Sequence, residues 1–473
     1  MAAPRTLFEK VLDAHTVRVL PTGQRQVFMG LHLLHELTSP QAFAELRQRG
    51  WVVAYPGRSL ATCDHVVPTD EQVRPLPDPV SEEMVATLER NCRDFGITCH
   101  SPGTSGQGIL HVIAGEQGSV EPGMTVACCD SHACTNGAYG AVAFGIGTSQ
   151  VGDVLASQCL VVDPIAVRRI IVTGTLGPGV SAKDLALELI RRLGINGGAG
   201  LAHEYAGSAV AALCMDQRMT LCNMTVECGA RVGYVNPDET TFADLDGRPF
   251  APRGEAFDRA RRWWSEMASD PDATYHDELV VDGAEVAPMV TWGINPAQTI
   301  PIDSIIPDPR LLGNERRNAA EAALEYMGLA AGRPITGTPV DVAFIGSCTN
   351  GRLTDLRHAA EVLAGRRVAG HVRALVSPGS QEVRRAAEAE GLDRIFRDAG
   401  FEWRHPGCSL CLGINGDHLH GRQLCASTSN RNFKGRQGSP TGRTMLMSPA
   451  MVAAAAVAGK VVDMRDFCGW KES

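Results

Sequence analysis

The chain has 473 residues, of which 44% are hydrophobic and 21% charged, with a formal net charge of −9. That is enough chain for a substantial core divided over two to four domains or subdomains, and the acidic balance disfavours a polyanionic partner such as nucleic acid. Fifteen cysteines, scattered and odd in number, are too few for a disulfide scaffold. The first ten residues contain no secretory apolar core, and no stretch approaches the ~18–20 apolar residues of a membrane-crossing helix. The expectation is therefore a reduced cytoplasmic protein, with no membrane partner and most of its cysteines serving as small core hydrophobes.

From the N-terminus, four segments rich in histidine and carboxylate stand out. They are Asp64-His65 in Cys63-Asp64-His65-Val66-Val67, His111 in Gly108-Ile109-Leu110-His111-Val112, Asp130-Ser131-His132, and Glu227 in Cys222-Asn223-Met224-Thr225-Val226-Glu227. A carboxylate bonded to an imidazole fixes its tautomer and raises its pKa, which yields a proton donor near neutral pH. Taken singly, each such segment is more often structural. Boundaries are expected near Asp163-Pro164 and in the proline-rich stretch from Asn295-Pro296 to Asp308-Pro309, dividing the chain into segments 1–165, 166–305 and 306–473. No internal repeat of fixed period is visible.

Towards the C-terminus, short apolar runs alternate with helical patterns. Val342 to Ile345 reads as a buried strand, Gly346 to Gly351 as a turn, and Leu353 to Ala364 as a helix stopped by Gly365. A second unit follows, with a strand over Val372 to Val376, a turn at Ser377-Pro378-Gly379-Ser380 and a helix over Gln381 to Glu390. This βαβα order predicts a parallel sheet covered on both faces. Functional sites in such sheets gather where strands end and helices begin, which is where Cys348 falls. Ser448-Pro449 reads as an N-cap and N1 proline opening the helix Ala450 to Ala458.

Cys348 in Gly346-Ser347-Cys348-Thr349-Asn350, with Cys408 and Cys411 in Pro406-Gly407-Cys408-Ser409-Leu410-Cys411, makes three cysteines, one short of a closed four-cysteine cage. A [4Fe–4S] cluster held by three thiolates keeps one open iron for Lewis-acid work. A C-x-x-C pair alone also fits half a zinc site, a redox pair or two core thiols. The polar loop Ala426 to Gly438 carries Arg431 and Arg436, whose guanidinium forks suit a small carboxylate anion. A merely solvated loop would read the same way.

Together these segments resemble the aconitase superfamily, and within it the family of 3-isopropylmalate dehydratase (isopropylmalate isomerase) large subunits. The likeness runs over nearly the whole chain. It includes Leu34 to Phe43, the Asp64-His65 run, Phe144 to Ser149, Glu204 to Ala209, Pro237 to Phe242, Thr291-Trp292-Gly293 and the Ser427 to Gly438 loop. It implies an α/β fold with three subdomains of aconitase-like α/β/α architecture around one [4Fe–4S] cluster per chain, held by Cys348, Cys408 and Cys411. It pairs Asp64 with His65, His111 with Asp130, and His132 with Glu227, and it makes Arg431, Arg436, Asn223 and Asn430 substrate-binding. The implied reaction isomerises 2-isopropylmalate and 3-isopropylmalate by dehydration and rehydration, in leucine biosynthesis, with His65 protonating the leaving hydroxide.

The resemblance also implies that the mobile fourth (swivel) domain, which supplies a serine base and an arginine, belongs to a separate small subunit. The substrate would be a malate-type dicarboxylate. Two runs depart from the family pattern. Phe28-Met29-Gly30-Leu31 stands where the family usually has Asp-Arg before the histidine, and Ala133-Cys134 follows His132 where Thr is common. Loss of a charged pair could alter substrate recognition or subunit contact. A citramalate or homocitrate type of substrate is the close alternative. A cluster-dependent RNA-binding regulator fits the acidic balance poorly, and a structural zinc protein leaves the acid–base segments without a role.

Overall fold

The computed structural model describes residues 3–468, and its framework is three parallel sheets, each built from βα units. The N-terminal sheet has the order Thr98–His100, Ser59–Thr62, Leu31–His35, Thr125–Cys128, Val142–Gly145. The middle sheet runs Val232–Val235, Leu201–Ala206, Ala166–Thr173, Asp277–Asp282, and the C-terminal sheet Phe401–Trp403, Arg373–Val376, Val342–Ile345, Leu424–Ser427, Arg443–Leu446. Every pairing within these three sheets is parallel. Strands such as Leu31–His35 and Val342–Ile345 are buried at every residue, as a sheet covered on both faces requires.

The residues form two compact units. One comprises Met1–Val66, Val73–Thr175 and Asn196–Asp282, and so holds the N-terminal and middle sheets. The other comprises Val67–Gln72, Leu176–Ile195 and Gly283–Ser473, and holds the C-terminal sheet. The two five-stranded sheets share one strand order. Numbered along the chain within each sheet, both read 3-2-1-4-5, a repetition of topology with no repeat in the sequence. In each, the first and fourth strands are neighbours whose connections leave in opposite directions. The crevice at their C-terminal ends is therefore a topological switch point.

The expected strand Val342–Ile345 is found with those bounds. The helix after it runs Leu353–Leu363, one residue shorter than expected, because Ala364 already has ψ 120° before left-handed Gly365. The next strand starts at Arg373 rather than Val372, whose N–H closes a turn onto Ala369. The following helix spans Gln381–Ala389. Gly346 to Gly351 is not an open turn but contains a single helical turn, Ser347–Asn350. Ser448 does precede the helix Pro449–Ala458, but its hydroxyl makes no capping bond, and proline at N1 has already removed one of the amides needing a partner.

The Gly30-Leu31 departure lies inside the N-terminal sheet. The Gly30 N–H donates to Thr125 Oγ1 at 3.0 Å, a Cβ at Gly30 would sit 3.1 Å from the Thr125 carbonyl, and Leu31 is buried. The pair is thus core here, where an ionised side chain would lack solvation.

Candidate functional site

Four connections of the N-terminal sheet bring the acid–base residues to its switch point. Asp64 and His65 follow the strand Ser59–Thr62, Asp130 to His132 follow Thr125–Cys128, and His111 lies in the helix Leu110–Glu116 that comes after Thr98–His100. Glu36 follows Leu31–His35 directly. The His65 Nδ1 lies 2.6 Å from Asp64 Oδ1, and its Nε2 stands 3.6 Å from Asp130 Oδ2. His111 Nε2 lies 2.8 Å from Asp130 Oδ1, which also accepts the His132 backbone N–H at 2.8 Å. His132 Nε2 meets Glu227 Oε1 at 2.9 Å; Glu227 sits on a 3-10 turn before the strand Val232–Val235. All three carboxylate–histidine pairs are thus in bonding contact.

Burial alone would push Asp130 up, but hydrogen bonds from His111, His132 and His65 hold it well below the usual carboxylate range. Burial likewise opposes the charged form of His65, yet the Asp64 charge and the bonds to Asp130 and Asp64 lift it well above the ordinary imidazole value. His65 is therefore an imidazolium held between two carboxylates. Asp64, pushed up by burial, is carried below its ordinary value by the His65 charge and by bonds from His65 and the Leu110 N–H. The ring of His35 stacks on that of His65 with centroids 4.1 Å apart. Burial and the His65 charge push its pKa down to about 4, so it stays neutral.

Glu36 and His35 were given no role in the sequence reading, although both stand in the Leu34 to Phe43 run. Glu36 is fully buried and accepts the backbone N–H groups of Asp64, His65 and Val66 at 3.3, 2.7 and 2.7 Å. It fixes the turn that presents the Asp64–His65 pair. His35, Glu36, Asp64 and His65 offer ligand atoms within 4.8 Å of one another, but the Glu36 oxygens are committed to backbone amides. Asn223 is fully buried, and its Nδ2 donates to Thr135 Oγ1 at 2.8 Å, while Cys134 lies with its sulfur 3.5 Å from the Asn223 carbonyl. The Ala133-Cys134 departure therefore changes packing beneath a candidate site residue.

Two glycines let the His132 segment approach Glu227. A Cβ on Gly137 would fall 1.8 Å from the Gly233 carbonyl oxygen, and one on Gly233 would fall 2.1 Å from Thr225 Oγ1. Hydrogen at Gly137 allows the 3-10 segment Ser131–Tyr139 to lie on the strand Val232–Val235, and hydrogen at Gly233 allows the turn Met224–Cys228, which carries Glu227, to pack on the same strand.

The cysteine set belongs to the other unit and to its own sheet. Cys348 follows the strand Val342–Ile345, and after Phe401–Trp403 Cys408 precedes, and Cys411 ends, the 3-10 turn Ser409–Cys411. All three are buried, at 7, 6 and 4% exposure. Both turns contain a serine in left-handed conformation, Ser347 at φ 78° and Ser409 at φ 47°, which is costly for a residue with a Cβ. Ser347 Oγ lies 3.2 Å from Cys411 Sγ and 3.9 Å from Cys348 Sγ. Asn430, after the strand Leu424–Ser427, sets its Nδ2 3.3 Å from Cys348 Sγ and its Oδ1 3.8 Å from Cys411 Sγ. Arg436 Nη2 is 3.7 Å from Cys411 Sγ, and Arg431 is half-buried next to Asn430.

Arg352 also went unnoticed in the sequence. It is buried and donates to the carbonyls of Cys348 at 2.7 Å and Thr349 at 2.9 Å, clamping the turn that carries the first cysteine. Buried thiols beside hydroxyl, amide and guanidinium groups, as Cys348 and Cys411 are, suit thiolates that ligate an iron–sulfur cluster. N–H and O–H groups aimed at sulfur are the usual partners of such ligands.

No helix among the described residues is long and apolar enough to cross a membrane. Among curated proteins, the chain is 62% identical over 462 residues to "3-isopropylmalate dehydratase large subunit" of Synechococcus sp. (strain JA-3-3Ab), covering 98% of this chain and 99% of that one. It is 59% identical over 466 residues to the protein of the same name from Gloeobacter violaceus, covering 98% of both. Among solved structures, the holo-form of Thermococcus kodakaraensis aconitase X aligns at a TM-score of 0.45 and 12% identity, over 90% of this chain and 89% of that one. The model of the aconitase family (aconitate hydratase) matches residues 9–459, and the chain belongs to that family.

Proposed function

We propose that this chain is the large, cluster-bearing subunit of a hydro-lyase that isomerises 2-isopropylmalate and 3-isopropylmalate by dehydration and rehydration, in leucine biosynthesis. The observation that carries the reading is full-length likeness at about 60% identity to proteins bearing that name. Membership of the aconitase family implies a [4Fe–4S] cluster. The reading assigns it to Cys348, Cys408 and Cys411, with one iron left open for substrate. When bound, the cluster supplies Lewis-acid polarisation of a carbon–oxygen bond.

The remaining chemistry falls to side chains. His65, kept as an imidazolium by Asp64 and Asp130, gives its proton to the departing hydroxide so that water leaves. In rehydration the same ring takes a proton from the incoming water. His111 is held by Asp130 through Nε2, so its Nδ1 is the atom left to orient substrate oxygen. His132, fixed by Glu227, supports the same carboxylate cluster. The reading gives Arg431 and Arg436 the binding of substrate carboxylate, and gives Asn223 and Asn430 substrate-binding roles as well. Negative charge builds on the carboxylate beside the carbon that loses its proton, and a guanidinium stabilises it.

The reading further assigns the proton-abstracting base to a small-subunit partner that carries a swivel domain, in a cytoplasmic complex. The reading also keeps three subdomains in this chain, 1–165, 166–305 and 306–473, supported by one parallel sheet falling within each span. The test is anaerobic reconstitution with iron and sulfide, then ultraviolet detection of the unsaturated intermediate from 2-isopropylmalate, with and without the candidate small subunit. Turnover only with both is expected. A cluster-loaded complex inert to isopropylmalate would overturn the substrate, and full turnover by this chain alone would overturn the partner.

A further inference from the structure

Lys183 is the second residue of the helix Ala182–Leu193, a position where a lysine ordinarily extends into water. Here it is fully buried. Its ammonium donates to the backbone carbonyls of Thr428 at 2.9 Å and Ser429 at 2.5 Å. Among the described residues it forms no salt bridge. A buried cation without an ionic partner is costly, and carbonyl dipoles recover only part of its lost hydration.

The two carbonyls immediately precede Asn430, whose amide nitrogen lies 3.3 Å from Cys348 Sγ. Thr428 is also tied to the other side of the site. Its hydroxyl accepts the Gly346 N–H at 2.9 Å and donates to the Gly346 carbonyl at 3.0 Å, two residues before Cys348. Lys183 thus anchors the loop by which Asn430 reaches sulfur. Burial lowers its pKa to about 8, while Cys411 and Cys348 are the foremost groups pulling it back up, ahead of Asp355 and Asp184. Its charge is held one residue away from the amide that touches the Cys348 sulfur.

We infer that Lys183 is a positioning residue of the cysteine site, pinning the Thr428–Asn430 loop through two carbonyls and offsetting with its fixed charge the negative charge of the thiolate ligand set. This rests on the reading that these cysteines hold an iron–sulfur cluster. It makes two separable demands, one on the loop and one on the cluster. The loop needs a donor; the cluster needs a cation.

The test compares wild type with Lys183→Met, which removes donor and charge, and Lys183→Gln, which keeps amide donors without charge. On metal-free full-length protein, hydrogen–deuterium exchange in peptides spanning residues 427–432 is expected to speed up at least about tenfold in Lys183→Met, with peptides of the N-terminal sheet unchanged. On anaerobically reconstituted protein, both variants are expected to show a lower cluster midpoint potential, since losing a nearby cation disfavours the reduced form. Should Lys183→Met fail to fold, Lys183→Gln still tests the charge through its potential. Unchanged exchange together with an unchanged potential would overturn the proposal. A wild-type chain that takes up no iron and sulfide would instead overturn the cluster reading, and the exchange measurement would still judge the loop.

Discussion

Asp130 Oδ1 lies 2.8 Å from His111 Nε2 while the other oxygen of the same carboxylate stands 3.6 Å from His65 Nε2. One carboxylate therefore controls two imidazoles. It fixes the tautomer of the first and helps to keep the second protonated. Asp130→Asn keeps the shape and removes the charge, so His65 should titrate lower and His111 should lose its fixed tautomer. The expected loss in kcat, measured with the small subunit present, is about 10²- to 10⁴-fold. Nitrogen chemical shifts of His65 report the protonation change directly, and an unshifted His65 would sink the argument.

The same charges set a pH dependence of stability. His65 has a raised folded-state pKa, so its contribution is complete below the unfolded value of about 6.5 and is lost as pH rises through the folded value. Asp130 and Asp64 have depressed values, so theirs is complete above about 3.9 and is lost as pH falls. The melting-temperature gap between wild type and His65→Gln should accordingly be widest near pH 6 and narrow towards pH 9. A gap that widens with rising pH would contradict the sign.

Gly137 offers a steric test at a distance from the proton chemistry. A methyl group there meets backbone, the Gly233 carbonyl at 1.8 Å, rather than a movable side chain. Gly137→Ala should cost about 1–3 kcal/mol or more. It should also part His132 from Glu227, with activity falling further than the loss of folded protein explains. Circular dichroism melts and specific activity on the folded fraction separate the two effects.

The cysteines make a compositional prediction. Cys408→Ser should leave the fold intact and reduce iron and sulfide after reconstitution to below one cluster per chain, with loss of the visible absorbance. The same change at Cys425, which is buried in a strand with its sulfur towards the Ala426 carbonyl, should leave both unchanged. Equal iron in both variants would remove Cys408 from the ligand set.

A further thiol measurement concerns Cys99. It is partly exposed, and hydrogen bonds from the Cys63 and Cys92 thiols hold it well below the ordinary thiol range. In metal-free protein near pH 6 it should be alkylated by iodoacetamide ahead of the exposed Cys214, because the thiolate is the reacting form. Mass spectrometry of early time points decides the order.

Local signals gave the third sheet its first strand to the residue, because Val342–Ile345 is a buried β-branched and aromatic run bounded by an aspartate and a glycine. Spacing alone left the Cys408–Cys411 pair open to zinc, redox or core readings, and only family likeness joined it to Cys348. The three histidine pairings were legible only through family likeness, since Glu227 lies 95 positions from His132. Lys183, Arg352 and Glu36 were missed for a common reason: each acts on backbone groups of a segment brought near by folding or buried beside it. Their type and neighbours in sequence look like those of ordinary solvated charges. Ser448 takes the N-cap position read for it, with Pro449 at N1, though its hydroxyl makes no capping bond.

The two five-stranded sheets with one strand order put different chemistry on the same wiring, imidazoles and carboxylates in one crevice and sulfurs in the other. Their strands are fixed by covered hydrophobic faces, whereas the reactive groups ride on short connections beyond the strand ends. Reactivity is thus modular with respect to the scaffold. Natural selection could exchange a connection for another of equal length without disturbing hydrogen-bond register below it, so related chains acting on different acids should diverge first in those connections and last in the strands.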